Sequence, residues 1–445
     1  MKFKITTLFL VLVLGICSAQ EKKWTLEECV TYAVENNLTI KQFALDLENT
    51  KIEELDAFGN LLPNLNASSS ASSNTGFSIN PTNNAPTNTT AFNANGNLSS
   101  NITLFDGLRN INRLHRAKLN AIAGQYRLDD LKDDIRLNVA NAYLQVLSNK
   151  ENLKVSRAQY AFTEQDLKRI KELVNSGVVP KGDLLEIEAT AANQEQQIVN
   201  GESRVLISRI NLAQLLQITD YENFDVVEET FAIPPSNILD NSAKYIFNKA
   251  VSYRNDIKFS ESNVSLAEKD LKIAKGAIYP TLSGFANYGS RYSDATTLPG
   301  GISPNLTDQL WIFDGVSYGA QLNVPIFNGF STKNNIKRAK IQLEKSKLQY
   351  EQDKLDLESN IQQAYVDVKT FYKAYEAAEK TLEARRLAYN YSKERFDVGL
   401  MNAFDFSQSQ SRVDNAEADV VRTKYDYIFR LKILEFYFGI PIALN

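Results

Sequence analysis

The 445-residue chain carries one histidine and two cysteines, and from Ala57 to Phe105 it has no charged side chain at all. The histidine, His115, lies among Arg113, Arg116 and Lys118 and reads as a solvated helix residue, not a general base. There is no Ser/His/Asp set for His115 to serve in that setting, no Cys/His metal cluster, and no Gly-rich phosphate loop. Neither an enzyme, nor a metal, nor a cofactor is expected, although carboxylate-only chemistry survives this count. Beyond the N-terminus no 18 consecutive residues are apolar, which argues against a transmembrane helix.

The first residues, "MKFKITTLFLVLVLGICSAQ", place Lys2 and Lys4 before an apolar run from Leu8 to Ile16 and a small-residue site at Cys17-Ser18-Ala19. This predicts a secretory signal peptide over residues 1–19, cut before Gln20. A lipoprotein reading of Cys17 competes with it, but Ile16 is large where that signal needs a small residue. Cleavage leaves Cys29 as the one thiol, so no intramolecular disulfide forms. Cys29 shares helical spacing with Leu26 and Ala33, which predicts a buried apolar thiol. Loss of two lysines moves the formal charge from -4 to -6, and such an exported acidic chain is no candidate for binding nucleic acid.

The charge-free stretch has a pattern of its own. In 64–79 the odd positions run Leu65, Ala67, Ser69, Ala71, Ser73, Thr75, Phe77 and Ile79, and the even ones are Asn, Ser or Gly. Residues 92–104 alternate in the other parity, with Phe92, Ala94, Leu98, Ile102 and Leu104 against asparagines, serine and threonine. Period two means strands with one apolar and one polar face, and the Pro/Asn-rich "NPTNNAPTNTT" between them predicts a hairpin. A second pair follows near 281–293 and 311–327, where Ile312, Val316, Tyr318, Ala320, Leu322, Val324 and Ile326 form the apolar series of the last strand. About ten residues suits a tilted bilayer crossing, yet four strands cannot close a barrel. Either the sheet packs on a core within the chain or several chains share one barrel.

The chain also says much of this twice. "LFDGLRNINRLHRAK" (104–118) returns as "IFNGFSTKNNIKRAK" (326–340), 222 positions on, and "LLPNL" (61–65) returns as "IYPTL" (278–282), 217 positions on. The offset changes between the prolines and the Phe-x-Gly, where loops vary in length. This internal duplication divides the chain into a repeat over 20–219, with strands near 64–79 and 92–105 and a helical hairpin over 108–217. A linker over 220–239 follows. The second repeat covers 240–438, with its hairpin over 330–438, before a tail at 439–445. Ahead of its strands each half is read as carrying one helix. After each Phe-x-Gly, apolar and small residues step by three and four, as in Leu357, Ile361, Ala364, Val368 and Phe371, with almost no Gly and no Pro. Such helices reach roughly 100 Å at 1.5 Å per residue. Gly177 and Gly399 end them, and a second helix returns from each.

With these features the sequence resembles the TolC-like outer-membrane efflux protein family over nearly its whole length. The carrying residues are Leu62-Pro63-Asn64-Leu65, Tyr279-Pro280-Thr281-Leu282, Phe105-Asp106-Gly107, Phe327-Asn328-Gly329 and the tips "SGVVPKGDLL" and "VGLMNAFDF". The resemblance implies a mainly α fold with membrane β: long helical hairpins forming a trimeric α-barrel in the periplasm, and four strands per chain in a shared transmembrane β-barrel in the outer membrane. It implies a homotrimer in outer-membrane lipid, fed by a periplasmic adaptor and an inner-membrane RND, ABC or similar transporter, as the exit duct of efflux or type I secretion. Phe105, Gly107, Phe327 and Gly329 would then be barrel-to-helix corners, with loop glycines and ordinary core phenylalanines as the plain alternative. Gly177, Val178, Val398, Gly399 and Leu400 would be adaptor-docking tips, though Ser176 stands where the family has Val and both glycines also suit helix caps. Asp405, with Asp183 and Gln408 beside it, would line a channel constriction; as a first-turn acid three residues after Asn402 it also suits the helix dipole. Gln408 replaces a second acid of that stretch and Met401 a basic latch residue. An exported coiled-coil scaffold or adhesion protein accounts for the helices but not for two alternating strand hairpins, the first of them free of charge.

Overall fold

The computed structural model describes residues 22–79, 84–228 and 237–441; the expected leader over residues 1–19, part of the expected linker and the last residues of the tail lie outside them. In chain order the elements are β1 (Lys23–Trp24), α1 (Leu26–Asn36), α2 (Leu38–Gly59), β2 (Asn66–Ile79), β3 (Pro86–Phe105), α3 (Arg109–Asn175), α4 (Lys181–Leu215) and β4 (Asp225–Val226). After a 3-10 turn at Ile238–Asp240 come α5 (Ala243–Tyr253), α6 (Asn255–Gly276), β5 (Thr281–Ser293), α7 (Leu306–Ile312), β6 (Gly315–Asn323), α8 (Ser331–Asp397) and α9 (Ala403–Phe438). Among the described residues no helix is long and apolar enough to cross a membrane. Two compact units divide the chain, one of residues 1–44, 127–257 and 352–445, the other of 45–126 and 258–351.

Three expectations need correction. The helix ahead of the strands is two in each repeat, broken at Asn37 and at its counterpart Arg254, both extended at ψ 127° and 133°. Asn37 Oδ1 accepts from the Thr39 and Ile40 N–H groups, so it caps α2 while ending α1. The last strand neither starts near 311 nor runs to 327: it is Gly315–Asn323, and Val324 and Ile326 follow it outside the strand. Leu306–Ile312 is a helix, capped by Asn305, and Gln309 inside it is buried, its amide bonding the Ser293 N–H, the Ser293 carbonyl and the Pro304 carbonyl. Ile312, placed on the strand's apolar face by alternation, therefore belongs to α7. In the linker, Asp225–Val226 pairs in parallel with Lys23–Trp24, so this segment is part of a sheet.

In the first unit, Leu26, Cys29 and Ala33 of α1 meet Val139, Tyr143 and Val146 of α3, Leu212 of α4 and Ile428 of α9 in one core. The Tyr143 hydroxyl donates to the Trp24 carbonyl at 3.2 Å, tying the β1 bridge to α3. Burial pushes the Cys29 thiol up to about 12, which keeps it protonated and inert. A polar layer follows along the same helices: Gln410 donates to Thr163 at 2.7 Å and Gln194 Nε2 to Asp414 at 3.0 Å. Burial first, and Glu417 in addition, push the Asp414 carboxyl up to about 6 despite that hydrogen bond. Gln194 Oε1 has no hydrogen-bond partner among the described residues.

In the second unit, strand order is β2-β3-β5-β6, every neighbour antiparallel. Gly107 turns the chain from β3 into α3 at φ +72°, where a Cβ would lie 2.2 Å from the Gly276 carbonyl oxygen. Only glycine fits both the left-handed backbone and the close approach.

Two outcomes follow from this packing. Gly107→Ala should destabilise the folded protein by about 2–4 kcal/mol, against about 1–2 kcal/mol for Gly177→Ala, which has the same backbone sign but open space; unfolding followed by circular dichroism in detergent separates them. Asp414 binds its proton more tightly folded than unfolded, so its contribution to stability falls as pH rises from its ordinary 3.8 through about 6. Asp414→Asn should raise stability on the order of 2–3 kcal/mol at pH 7.5, and the gain should vanish below pH ~4 in the same melts.

Candidate functional site

The sheet separates its side chains by face. Register places Ala67 opposite Leu98, Leu98 opposite Tyr288 and Tyr288 opposite Val316, so one apolar row crosses all four strands. Ala71, Ala94 and Tyr292 form another, and Leu282 and Leu322 a third. The opposite face carries Ser68, Asn97, Gly289 and Gly315 in one row and Ser70, Asn95 and Arg291 in another. Arg291 is the single charged residue within β2, β3, β5 and β6. Tyr318 and Val316 are left exposed at the edge strand, at 83% and 70%. A sheet with an apolar face free of charge and a hydroxyl- and amide-rich face suits lipid on one side and water on the other.

The corners are alike in backbone and unlike in surroundings. Gly107 and Gly329 have φ +72° and +62°, yet Gly107 is buried against Gly276 and Gly329 is exposed. Phe105 is 41% exposed and Phe327 76%, its ring edge-on to Phe330 with centroids 5.6 Å apart.

The helical tips lie in the first unit. At the end of α3 the Gly177 N–H donates to the Val174 carbonyl and the Val178 N–H to the Leu173 carbonyl; at the end of α8 the Gly399 N–H donates to Phe396 and the Leu400 N–H to Arg395. Both are the paired bonds of a glycine-terminated helix, with Gly177 at φ +75° and Gly399 at +77°. Val178, Val398 and Leu400 project into solvent beyond these caps, each about 70% exposed. Beneath them Phe396 and Phe406 stack with centroids 4.5 Å apart, enclosed with Ile170, Ile187 and Ala403. Met401 packs against this cluster.

The return helices place the acids. Asn402 caps α9, its Oδ1 accepting from the Asp405 N–H at 2.8 Å while its Nδ2 donates to Asp405 Oδ2 at 3.1 Å. Asp405 and Gln408 are exposed, one turn apart on α9, and Gln408 accepts from Arg412 at 3.0 Å. Asp183 in the first turn of α4 accepts from the Ala403 N–H at 3.4 Å, so the structure brings the two tip turns together through it. Gln408 also lines a furrow of about 770 Å³ between α3, α4 and α9, together with Asn152, Gln159, Gln194, Ser411 and Asp414. Sequence reasoning missed the pairs that join α3 to α8, Arg169 with Asp397 and Asp166 with Lys393. Each partner is an ordinary charged helix residue, and no spacing marks the pairing across more than two hundred positions.

The sequence pattern of the outer membrane efflux protein family matches residues 31–216 and 246–439, one stretch in each repeat. Outer membrane protein TolC of Vibrio cholerae is 22% identical over 435 residues, 96% of this chain and 93% of that protein. The alkaline protease secretion protein AprF of Pseudomonas aeruginosa is 21% identical over 77% of this chain and 69% of its own. Among solved structures, the CmeC outer membrane channel of Campylobacter jejuni superposes with a TM-score of 0.81 at 19% identity, covering 93% of this chain and 85% of that one. The outer membrane protein VceC of Vibrio cholerae gives 0.79 at 15%, covering 94% and 97%. The names of these four proteins speak of membranes, channels and secretion, none of catalysis. With its two-faced sheet whose apolar face carries no charge, its paired corners and its capped helical tips, the chain belongs to the outer membrane efflux protein family and resides in the outer membrane as a channel-tunnel for export.

Proposed function

We propose that three copies of this chain close one barrel of twelve strands, continue it as a helical tunnel into the periplasm, and receive substrates there from an inner-membrane transporter through a periplasmic adaptor. The observation that carries the reading is the four-stranded sheet itself. It has an apolar row on every strand and two outer edges, β2 and β6, that have no further strand partner among the described residues. A membrane sheet cannot leave such edges unpaired, and four strands are too few to close alone.

The tips are the adaptor's docking surface in this reading. Val178, Val398 and Leu400 present apolar side chains to solvent around backbone turns that the glycine caps hold rigid. Asp405, exposed beside the Asn402 cap, is the constriction residue, with Asp183 and Gln408 next to it. Threefold symmetry sets three Asp405 carboxylates around one axis, and like charges brought close favour a bound cation or retained protons. Gln408 contributes no charge and already accepts from Arg412, so the ring is weakly charged for its size.

Gly399→Trp should abolish export in cells while the oligomer still assembles; Gly399→Ala, which has the same backbone penalty without the bulk, should retain most of it. Equal export by both variants and the parent would remove the tips from docking. In planar bilayers Asp405→Ala should lower cation selectivity and weaken block by divalent or trivalent cations added on the periplasmic side. Selectivity and block that match the parent would leave Asp405 as a first-turn acid and nothing more.

A further inference from the structure

The repeat offsets relate the strand registers as well as the sequence. β2 and β3 pair Asn66 with Ser99; moved on by 217 and 222 these become Ser283 and Gln321, and β5 and β6 pair those two residues. The junction between the repeats, β3 with β5, therefore has an image that the chain does not fill: β6 with β2. In the junction Leu98 faces Tyr288 and Ala94 faces Tyr292. Their images are Ala320 facing Ala71 and Val316 facing Thr75, and all four lie on the apolar face.

The helices beside the sheet repeat the relation. In the junction Arg116 of α3 reaches Asp270 of α6 at 2.6 Å. The image of this pair is Arg338 of α8 and Glu53 of α2. Arg338 instead contacts Asn335 of its own helix, and among the described residues Glu53 accepts a neutral hydrogen bond from Asn120 at 3.0 Å and forms no ion pair. The corner behaves likewise. Gly107 is buried against Gly276 and Tyr279, whereas the images Gly329, Gly59 and Leu62 are all exposed, with nothing within 4 Å of either glycine's Cβ position among the described residues. What is buried and ion-paired inside the chain is, among the described residues, exposed and without an ion pair at its two edges.

We propose that the second-repeat edge of one copy seats on the first-repeat edge of the next in the register of the internal junction. Ala320 faces Ala71 and Val316 faces Thr75 across the subunit boundary, Arg338 pairs with Glu53, and the Gly329 corner packs on Gly59 and Leu62. The proposal rests on the shared barrel put forward above, and it adds which residues meet. It depends on the duplication and not on the number of copies. Complementary charge, matching face and two glycines able to let backbones approach all fall at positions assigned by the offsets alone.

The test is disulfide trapping in outer membranes, in a Cys29→Ala background. Ala71→Cys with Ala320→Cys should give covalent oligomers on oxidation, because directly opposed strand residues come within disulfide range. Ala71→Cys with Tyr318→Cys or with Leu322→Cys, each slipped by two residues on the same face, should give at least tenfold less. Glu53→Arg and Arg338→Glu should each lower the fraction of detergent-resistant oligomer, and the two together should restore it. A slipped pair that traps better than Ala71 with Ala320 overturns the register, and unrestored assembly in the double reversal overturns the ion pair. If such variants still conduct in bilayers, the shared barrel stands and only this seating fails. A parent protein that sizes as a monomer and never conducts removes both.

Discussion

A strand at the edge of a sheet displays a row of N–H and C=O groups that bilayer hydrocarbon cannot satisfy, and much of this protein follows from that constraint. The sheet is built for lipid on one face, with the Ala67, Leu98, Tyr288 and Val316 row continued across all four strands, and a single charge, Arg291, on the other. Its edges β2 and β6 are long, regular and free of the prolines, charges and bulges that soluble proteins use to blunt an edge, apart from Pro86 on the inner β3. In the proposed shared barrel such an edge is a surface for another copy. The absence of charge from Ala57 to Phe105 is the chemical side of the same demand, since each charged residue facing lipid would cost a few kcal/mol near the midplane.

Duplication lets one solution serve at two kinds of boundary. The turn from strand to helix at Gly107 is stabilised from within by the backbone of Gly276, and the identical turn at Gly329 keeps its left-handed φ without any such neighbour. The Gly329 turn is held locally, the Ser331 N–H donating to the Asn328 carbonyl at 3.2 Å. The same asymmetry separates Arg116, with its carboxylate partner, from Arg338.

The helical unit mixes two ways of holding helices together. Near the tips the contact is apolar and aromatic, Phe406 lying between Phe396 and Tyr389. Farther along it is polar, through Thr163 with Gln410, Gln159 with Glu417 and Gln194 with Asp414. Hydrogen-bonded layers of this kind contribute little net stability but penalise wrong pairings, because an unsatisfied buried group costs more than a made bond contributes. Asp414, pushed up to about 6, and the Gln194 oxygen, without a hydrogen-bond partner among the described residues, mark where that layer is imperfect. Directly beside it the polar furrow opens, with Gln408 and Asn152 on its walls.

Local chemistry was legible in the amino-acid sequence alone. Period-two alternation located the strands, three-and-four stepping located the long helices, glycines at 177 and 399 marked their ends, and the doubled motifs revealed the repeats, since each of these signals lies within a few neighbouring residues. The caps at Asn402 and the burial of Cys29 were readable for the same reason. What only the tertiary structure decided depends on residues far apart in the chain. Ile312 looked like a strand residue until Gln309, bonded to Ser293 and Pro304, drew its segment into a helix. The breaks at Asn37 and Arg254 interrupt patterns that would otherwise continue, and Asp225–Val226 became strand by pairing with Lys23–Trp24 some two hundred residues away. Arg169 with Asp397 and Asp183 with the Ala403 N–H carry no mark in their own neighbourhoods, because a charged or polar residue on a helix surface looks the same in sequence whether water or another helix lies opposite.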